Sequence, residues 1–175
     1  SGRFGANGGR PGAEDVGSVL DCEAAAAVLQ FWFEELTPDD WFRQSVQLDD
    51  RVRHEFGALH QRAGAGELAG WMSRPDTCLA LVVILDQLSR CIYGRCTPEG
   101  CQWDAMARVA ANTALARGDD RQVWPLGPKR CALYLPFMHS DDLADKRRCV
   151  ALMREGLVPD AALRPAASGA EGLPR

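Results

Sequence analysis

The stretch LALVVILDQLSR, residues 79–90, decides the fold of this chain. Its first part, residues 79–85, is apolar on every side, and a helix that is apolar all round is buried in a protein core. The run is too short to cross a bilayer, which takes about 20 apolar residues. The polar residues Asp86, Gln87 and Arg90 follow directly. We therefore expect a buried central helix that carries a polar cluster in its second half.

Further helices are predicted on both sides of this central helix. Apolar residues recur at helical spacing over residues 25–36, and Thr37-Pro38 predicts the end of that helix. The triplet Thr97-Pro98-Glu99 combines a cap, a proline at the first helical position and an acid in the first turn, which predicts a helix start. No strand alternation is present, and the strand-like run 131–137 is interrupted by a proline. The predicted fold class is all-α, built from antiparallel helix hairpins.

Capping residues set the expected helix boundaries. Asp21 is predicted to begin the first helix, Asp49 to precede the second, Thr77 to cap the central one and Ser140 to cap the last. Gly118 is predicted to end the helix that starts at Thr97, because glycine is favoured just past a helix end. These signals define one helical domain over residues 21–157.

The two ends of the chain differ in composition from the helical domain. Residues 1–20 are predicted to form an extended N-terminal tail, and residues 158–175, rich in Ala, Pro and Gly, an extended C-terminal tail. The first residues carry Arg and Gly before any acid and lack the apolar run of a secretory signal. Such a start suits either the remainder of an organelle transit peptide, which favours the mitochondrion, or a cloning remnant on a cytoplasmic protein.

Composition and charge exclude several classes of function. With 46% hydrophobic and 25% charged residues, the chain has the make-up of a globular protein, and its net charge of −4 predicts no nucleic-acid contact. The cysteines at 91, 96 and 101 and the histidines at 54, 60 and 139 do not follow a zinc-ligand spacing. We expect no metal or cofactor, no transmembrane segment, and free thiols in a reducing compartment.

Four segments carry a resemblance to a known family: VLQFWFEEL at 28–36, WFRQSVQLDDRVRHEFGAL at 41–59, LALVVILDQLSRCIYGRCTPEGCQWDAMA at 79–107 and CALYLPFMHSDDLADK at 131–146. In this order and approximate spacing, over roughly residues 24–157, they resemble the bacterial "domain of unknown function 924" family. The resemblance implies a tetratricopeptide-like, right-handed stack of helices. It implies no activity, because that of the family is unassigned.

The chain departs from the family pattern at several positions. The family's Asn after the Asp-Gln pair is Cys91 here, and its Arg after the aromatic residue is Gly94, with Arg95 displaced by one. The family's second Arg-Asn motif and final helix are replaced by residues 158–175. The chain is therefore expected to be truncated at its C-terminus relative to the family, and a site built from both motifs is expected to be incomplete.

Two interpretations of the polar residues remain open. In the first, Asp86, Gln87 and Arg90 line a ligand pocket in which Arg90 clamps an anion or carbonyl and His139, next to Ser140, serves as acid or base. In the second, Asp86 and Arg90, four residues apart, form a buried ion pair that fixes the central helix, and His139 and Ser140 cap the last helix. No residue is assigned a catalytic role.

The favoured function is a non-catalytic helical scaffold that serves as an accessory subunit of a larger protein assembly. The lost Asn and the missing C-terminal motif motivate this hypothesis. One alternative is a small-molecule enzyme or ligand-binding protein that uses the polar cluster. Another is a peptide-binding helical-repeat adaptor, which requires an open groove lined with exposed aromatic residues.

Overall fold

A computed structural model describes residues 13–95 and 97–157 of the chain. Within these ranges the chain is helical and contains no strand, so the all-α prediction is confirmed. The α-helices are α1 (Ala13–Gln30), α2 (Pro38–Phe42), α3 (Val46–Gly64), α4 (Pro75–Val82), α5 (Ser89–Tyr93), α6 (Pro98–Cys101), α7 (Asp104–Arg117), α8 (Asp119–Gln122), α9 (Pro128–Met138) and α10 (Leu143–Leu157). A 3₁₀ helix spans Ala69–Ser73 and precedes α4.

The central helix is buried as the sequence predicts. It consists of α4, a π-helical segment over Val83–Leu88, and α5, and every residue of α4 from Thr77 to Val82 is buried. Helix α4 packs between α1 and α7, α7 contacts α9, and α9 contacts α10. Small buried alanines on α7, such as Ala110 and Ala114, let α4 approach closely.

Two of the described segments have π-helical geometry, and residues from both line one cleft. Helix α1 continues as a π-helical turn over Phe31–Glu35, and the central helix contains the π-helical segment Val83–Leu88. At the π-helical segment of the central helix, the Ser89 hydroxyl donates a hydrogen bond to the Leu85 carbonyl at 2.6 Å, so a side chain satisfies a backbone carbonyl there. Single π turns within α-helices occur frequently at functional sites, which directs attention to residues 31–35 and 83–88.

Some helix boundaries differ from the predicted ones. Helix α1 begins at Ala13, within the predicted N-terminal tail, because residues 13–30 contain no proline and continue the helix-favouring Ala-rich run. The strand-like run 131–137 is α-helical, within α9. Its Pro136 lies inside that helix and has no N–H to donate to the carbonyl of Ala132, so one helical hydrogen bond is missing there. The rest of the predicted tails lies outside the described residues.

The capping predictions had mixed outcomes. Thr97 accepts a hydrogen bond from the Gly100 N–H at 3.0 Å, and Gly118 ends α7 with a φ of 82°, as predicted. The predicted cap Thr77 is wrong: α4 starts at Pro75, and the Thr77 hydroxyl donates to the Trp71 carbonyl at 2.6 Å. The helix that begins after Thr97 is interrupted at residues 102–103, where α6 ends and α7 has not yet begun.

One buried histidine stands out in the core. His60 on α3 is fully buried, and neither ring nitrogen has a hydrogen-bond partner. Its ring lies 4.5 Å from the ring of Trp103 and 5.3 Å from that of Tyr93, centroid to centroid. This burial lowers the pKa of His60 to about 4, so the ring is neutral in the folded protein near pH 7.

The described residues were compared with two expectations, one on membrane-spanning helices and one on the state of the cysteines. None of the helices in the described ranges combines the length and the apolarity needed to cross a bilayer. The cysteines in these ranges are all free thiols: Cys22, Cys78, Cys91, Cys101, Cys131 and Cys149.

Candidate functional site

The structure brings Asp86, Gln87 and His139 together into one hydrogen-bonded group. Asp86, in the π-helical segment, has no exposed side-chain surface. One of its carboxylate oxygens lies 2.8 Å from Nδ1 of His139, and the other accepts a hydrogen bond from Nε2 of Gln87. The His139 side chain is 27% exposed. A buried carboxylate thus orients a partly exposed imidazole, an arrangement that fixes which ring nitrogen faces inward.

Arg90 pairs mainly with a residue that the sequence analysis did not select. Its guanidinium donates to both carboxylate oxygens of Asp104, at 3.0 and 3.1 Å, whereas its closest approach to the carboxylate of Asp86 is 4.0 Å. The predicted Asp86–Arg90 ion pair is therefore present at 4.0 Å, and Arg90 makes a second, closer ion pair with Asp104.

Arg90 also bonds backbone carbonyls of the protein. Its Nη1 donates to the backbone carbonyl of Asp86 at 2.9 Å and contacts that of Gly100 at 3.3 Å. The Arg90 and Asp104 side chains are 11% and 12% exposed. Burial opposes the charge on Arg90, but the hydrogen bonds and charges of Asp104 and Asp86 outweigh it and raise the pKa of the guanidinium. Arg90 joins the central helix to α6 and α7, so it does not offer the ligand clamp of the first interpretation.

Ser140 has a local structural role next to His139. The Ser140 hydroxyl is buried and accepts a hydrogen bond from the Asp142 N–H at 3.1 Å. Helix α10 starts at Leu143, and its first turn is capped by Asp142, whose carboxylate accepts from the Ala144 N–H at 2.8 Å. The predicted cap Ser140 is therefore wrong, because it lies two residues before Asp142, the residue that caps α10.

An open cleft lies beside this polar group. Its volume is about 530 Å³, and its lining is apolar and aromatic apart from one amide and one thiol: Trp32, Phe33, Trp41, Phe42, Gln87, Leu126, Gly127, Pro128, Cys131, Ala132, Leu135 and Met153. One wall comes from the first π-helical turn and α2, and the opposite wall from α9 and the loop before it. Gln87 links the cleft to the buried carboxylate of Asp86.

The aromatic wall of the cleft is held in place by specific contacts. The Trp41 indole Nε1 donates to the Trp32 carbonyl at 3.0 Å, and the two indoles stack with centroids 6.4 Å apart. From a distant loop, Arg95 donates to the carbonyls of Trp41 and Arg43 at 2.9 and 2.8 Å. Phe42 remains 84% exposed at the rim. Phe42 therefore lies outside the core, and Trp41 is only partly buried against it.

The thiols near the site are not activated. Burial raises the pKa of Cys131, which lines the cleft, and raises that of Cys91 to about 11, with Asp49 adding to the effect. A nucleophilic cysteine needs a lowered pKa. Both residues therefore serve as packing groups. Among the described residues no group of His, Cys, Asp or Glu side chains is arranged to hold a metal ion.

Sequence reasoning missed two features of the site. Asp104 carried a signal, since it is an acid in the first turn of a helix that follows Thr97-Pro98, but its contact with Arg90 depends on tertiary packing. The cleft carried a weaker signal, because the aromatic residues of its wall lie within two short segments at 31–33 and 41–42. Hydrophobicity alone does not separate core aromatic residues from those at a rim.

Comparisons with known proteins agree with this fold. No curated protein matches the chain. The chain is similar to the solved structure of the protein of unknown function ATU0120 from Agrobacterium tumefaciens, with 33% sequence identity and a TM-score of 0.70. The likeness covers 76% of this chain and 73% of that one.

A family model described as "Bacterial protein of unknown function (DUF924)" matches residues 28–166. The match confirms the resemblance on which the sequence analysis relied, and it extends into residues assigned there to the C-terminal tail. The chain therefore belongs to the DUF924 family of bacterial proteins of unknown function.

Proposed function

We propose that this protein is a non-catalytic helical scaffold that holds an apolar segment of a partner protein in the aromatic cleft, as an accessory subunit of a larger assembly. The observation that carries the proposal is the contrast between the two parts of the site. The polar residues form hydrogen bonds with one another, whereas the cleft beside them is lined by apolar side chains that are open to solvent.

The polar cluster supports a structural role. Arg90 is bonded by Asp104 and by backbone carbonyls, and Asp86 is fully buried. Removing one member of such a group leaves a buried charge or polar atom without a partner, which costs several kcal/mol. Groups with this function hold helices in register. They are not available to bind and release a substrate.

The cleft supports an interaction role. Phe42 is almost fully exposed on a short helix, and exposed aromatic side chains beside an apolar cleft are typical of interaction sites. Asp40 caps the start of the helix that carries Phe42, because its carboxylate accepts hydrogen bonds from the Thr37 N–H and hydroxyl at 2.8 and 2.7 Å. This proposal joins the scaffold hypothesis with that of the peptide-binding adaptor.

The experiment compares partner recovery by three forms of the tagged full-length protein, expressed in its native cell. Phe42→Ser removes the exposed cleft residue, and the control Leu143→Ser changes another solvent-facing apolar residue, on α10, that is 57% exposed. We expect a defined set of proteins to copurify with the wild type and Leu143→Ser and to be lost from Phe42→Ser. Recovery that is the same for all three forms, or absent from all, would refute the proposal.

A second candidate function follows from His139. Its ring is partly exposed and its Nδ1 faces a buried carboxylate, as in sites where histidine acts as a general base. The protein would then be a small-molecule enzyme or ligand-binding protein. A metabolite that shifts the His139 ring signals in NMR spectra, and no longer binds after His139→Gln, would favour this candidate over the scaffold.

Cell fractionation tests the location of the proposed assembly. The mitochondrial location expected from the N-terminal residues stays a prediction, and the interaction role does not depend on it.

A further inference from the structure

The chain leaves the last described helix close to the aromatic cleft. Met153 on α10 lines the cleft, and α10 ends at Leu157, four residues later. Four residues of α-helix advance about 6 Å along the helix axis. The residues that follow Leu157 therefore start close to the part of the wall that Met153 forms.

A segment directly after α10 is long enough to return to the cleft. We call residues 158–166 the proximal tail segment. Leu163 comes six residues after Leu157, and six extended residues span up to about 20 Å. The N-terminal residues start farther away, because Ala13, where α1 begins, is 19 residues before Trp32 in the cleft wall, which is about 28 Å of helix.

The composition of the proximal tail segment suits an apolar site. It carries two large apolar residues, Val158 and Leu163, with two alanines between them. The family model matches residues up to 166, so this segment belongs to the part of the sequence that the family shares, whereas residues 167–175 do not. Docking of the two large side chains in the cleft removes apolar surface from water, which favours the bound form.

The charges next to the cleft are compatible with this segment. Lys129 lies over the Phe33 ring of the cleft wall, with its Nζ 5.8 Å from the ring centroid and 3.5 Å from a carboxylate oxygen of Glu34. The segment also carries one charge of each sign, Asp160 and Arg164. Exposed ion pairs contribute little free energy, so these charges orient the segment while its apolar residues hold it.

We propose that the proximal tail segment docks in the aromatic cleft of its own chain, with Leu163 against the aromatic wall, and competes there with the partner segment. This inference rests on the proposed interaction role of the cleft and concerns its regulation. Attachment to the same chain gives the segment an effective concentration of about 1 mM. An intrinsic dissociation constant of about 0.25–1 mM then fills the cleft in about half to four fifths of the free molecules. The apparent dissociation constant of the partner is thereby raised about two- to fivefold.

The native thiol of Cys131 reports whether the cleft is covered. Cys131 is a free, partly exposed thiol that lines the cleft, and Cys101 is a free, partly exposed thiol outside that lining. The full-length protein is alkylated with N-ethylmaleimide at mildly alkaline pH, and the rate at each thiol is read by peptide mass spectrometry. The test variant is Leu163→Asp. The matched control is Leu173→Asp, which makes the same change outside the proximal tail segment.

We expect Cys131 to react about two- to fivefold faster in Leu163→Asp than in the wild type, because the cleft is then open in all molecules. Cys131 in Leu173→Asp, and Cys101 in all three proteins, should react at wild-type rates. Equal Cys131 rates in the wild type and Leu163→Asp, or equal acceleration by both variants, would overturn the inference. Protection of Cys131 that is lost on dilution of the wild-type protein identifies a second copy as the occupant and overturns it too.

Two further comparisons complete the test. Faster alkylation of Cys101 reveals loss of folding in Leu163→Asp, and Leu163→Ala then takes its place, with acceleration of Cys131 expected and equal rates again overturning the inference. The proposed function fails separately, because it is judged by partner recovery with Phe42→Ser. For a partner recovered there, Leu163→Asp should lower the apparent dissociation constant about two- to fivefold, and an unchanged constant overturns the competition.

Discussion

Removing the charge of Asp104 tests whether Arg90 is a structural residue. In Asp104→Asn, Arg90 keeps its backbone contacts to Asp86 and Gly100 but loses the carboxylate that meets it at 3.0 and 3.1 Å. Breaking a buried ion pair by removing one partner costs about 3–5 kcal/mol. The amide retains one acceptor, so we expect a smaller loss of unfolding free energy, about 2–3 kcal/mol.

This loss is large enough to measure by two methods. A domain of this size loses about 2–4 °C of Tm per kcal/mol, so the expected decrease in Tm is about 4–12 °C. Urea unfolding followed by circular dichroism gives the same free energy independently. The matched control is Asp39→Asn, which breaks an exposed pair with Arg43 whose side chains are 74% and 79% exposed. We expect no measurable change in this control.

A double variant distinguishes loss of the whole ion pair from loss of one partner. Replacing both Arg90 and Asp104 by apolar residues, as Arg90→Met with Asp104→Leu, removes the buried charge together with its partner. Such replacements are often neutral, so we expect the double variant to be more stable than Asp104→Asn. If Asp104→Asn has the same urea midpoint of unfolding as the wild type, the ion pair does not hold the helices together. The structural role assigned to Arg90 would then be wrong.

Three further predictions use other parts of the molecule. The pKa of His60 is near 6.5 in the unfolded chain and about 4 in the folded protein, so the free energy of unfolding should fall by about 3 kcal/mol as the pH is lowered through this interval. Urea titrations of His60→Phe should lack that decrease. Equal pH profiles of the variant and the wild type would contradict the burial of this ring. Gly118→Ala should destabilise the protein by about 1 kcal/mol, because φ is 82° at this position. Gly57→Ala should stabilise it by about 0.5–1 kcal/mol, because residue 57 lies inside α3 and no atom is near the added Cβ. Thermal unfolding compares the two variants, and Tm shifts of the same sign would refute the assigned backbone conformations. Phe42→Ser should leave Tm unchanged while partner recovery is lost, because the ring is 84% exposed, and a lower Tm would mean that the ring packs within the protein.

Much of the fold could be predicted from local sequence patterns. The apolar run from Leu79 to Leu85 indicated the buried central helix, and the cap at Thr97 and the glycine at 118 marked helix boundaries where the structure has them. These predictions succeeded because burial periodicity and capping depend on residues close together in the chain.

The candidate site was less predictable, for two physical reasons. The i and i+4 spacing of Asp86 and Arg90 indicates their ion pair, but it does not indicate the closer pair of Arg90 with Asp104, because residue 104 lies on another helix. The cleft depends on contacts between distant segments, such as that of Arg95 with the Trp41 carbonyl, which no local pattern reveals. Asp86, Gln87 and His139 were correctly selected as neighbours, but their hydrogen bonds required the structure.

The central claim is that the aromatic cleft, and not the polar cluster, carries the function. Amide hydrogen exchange, measured on the copurified assembly and on the free protein, tests this claim most directly. We expect slower exchange in the assembly at residues 31–42 and 125–135, which form the two walls of the cleft, and unchanged exchange at residues 139–142. Protection confined to the segment around His139, or none at the cleft walls, would contradict it.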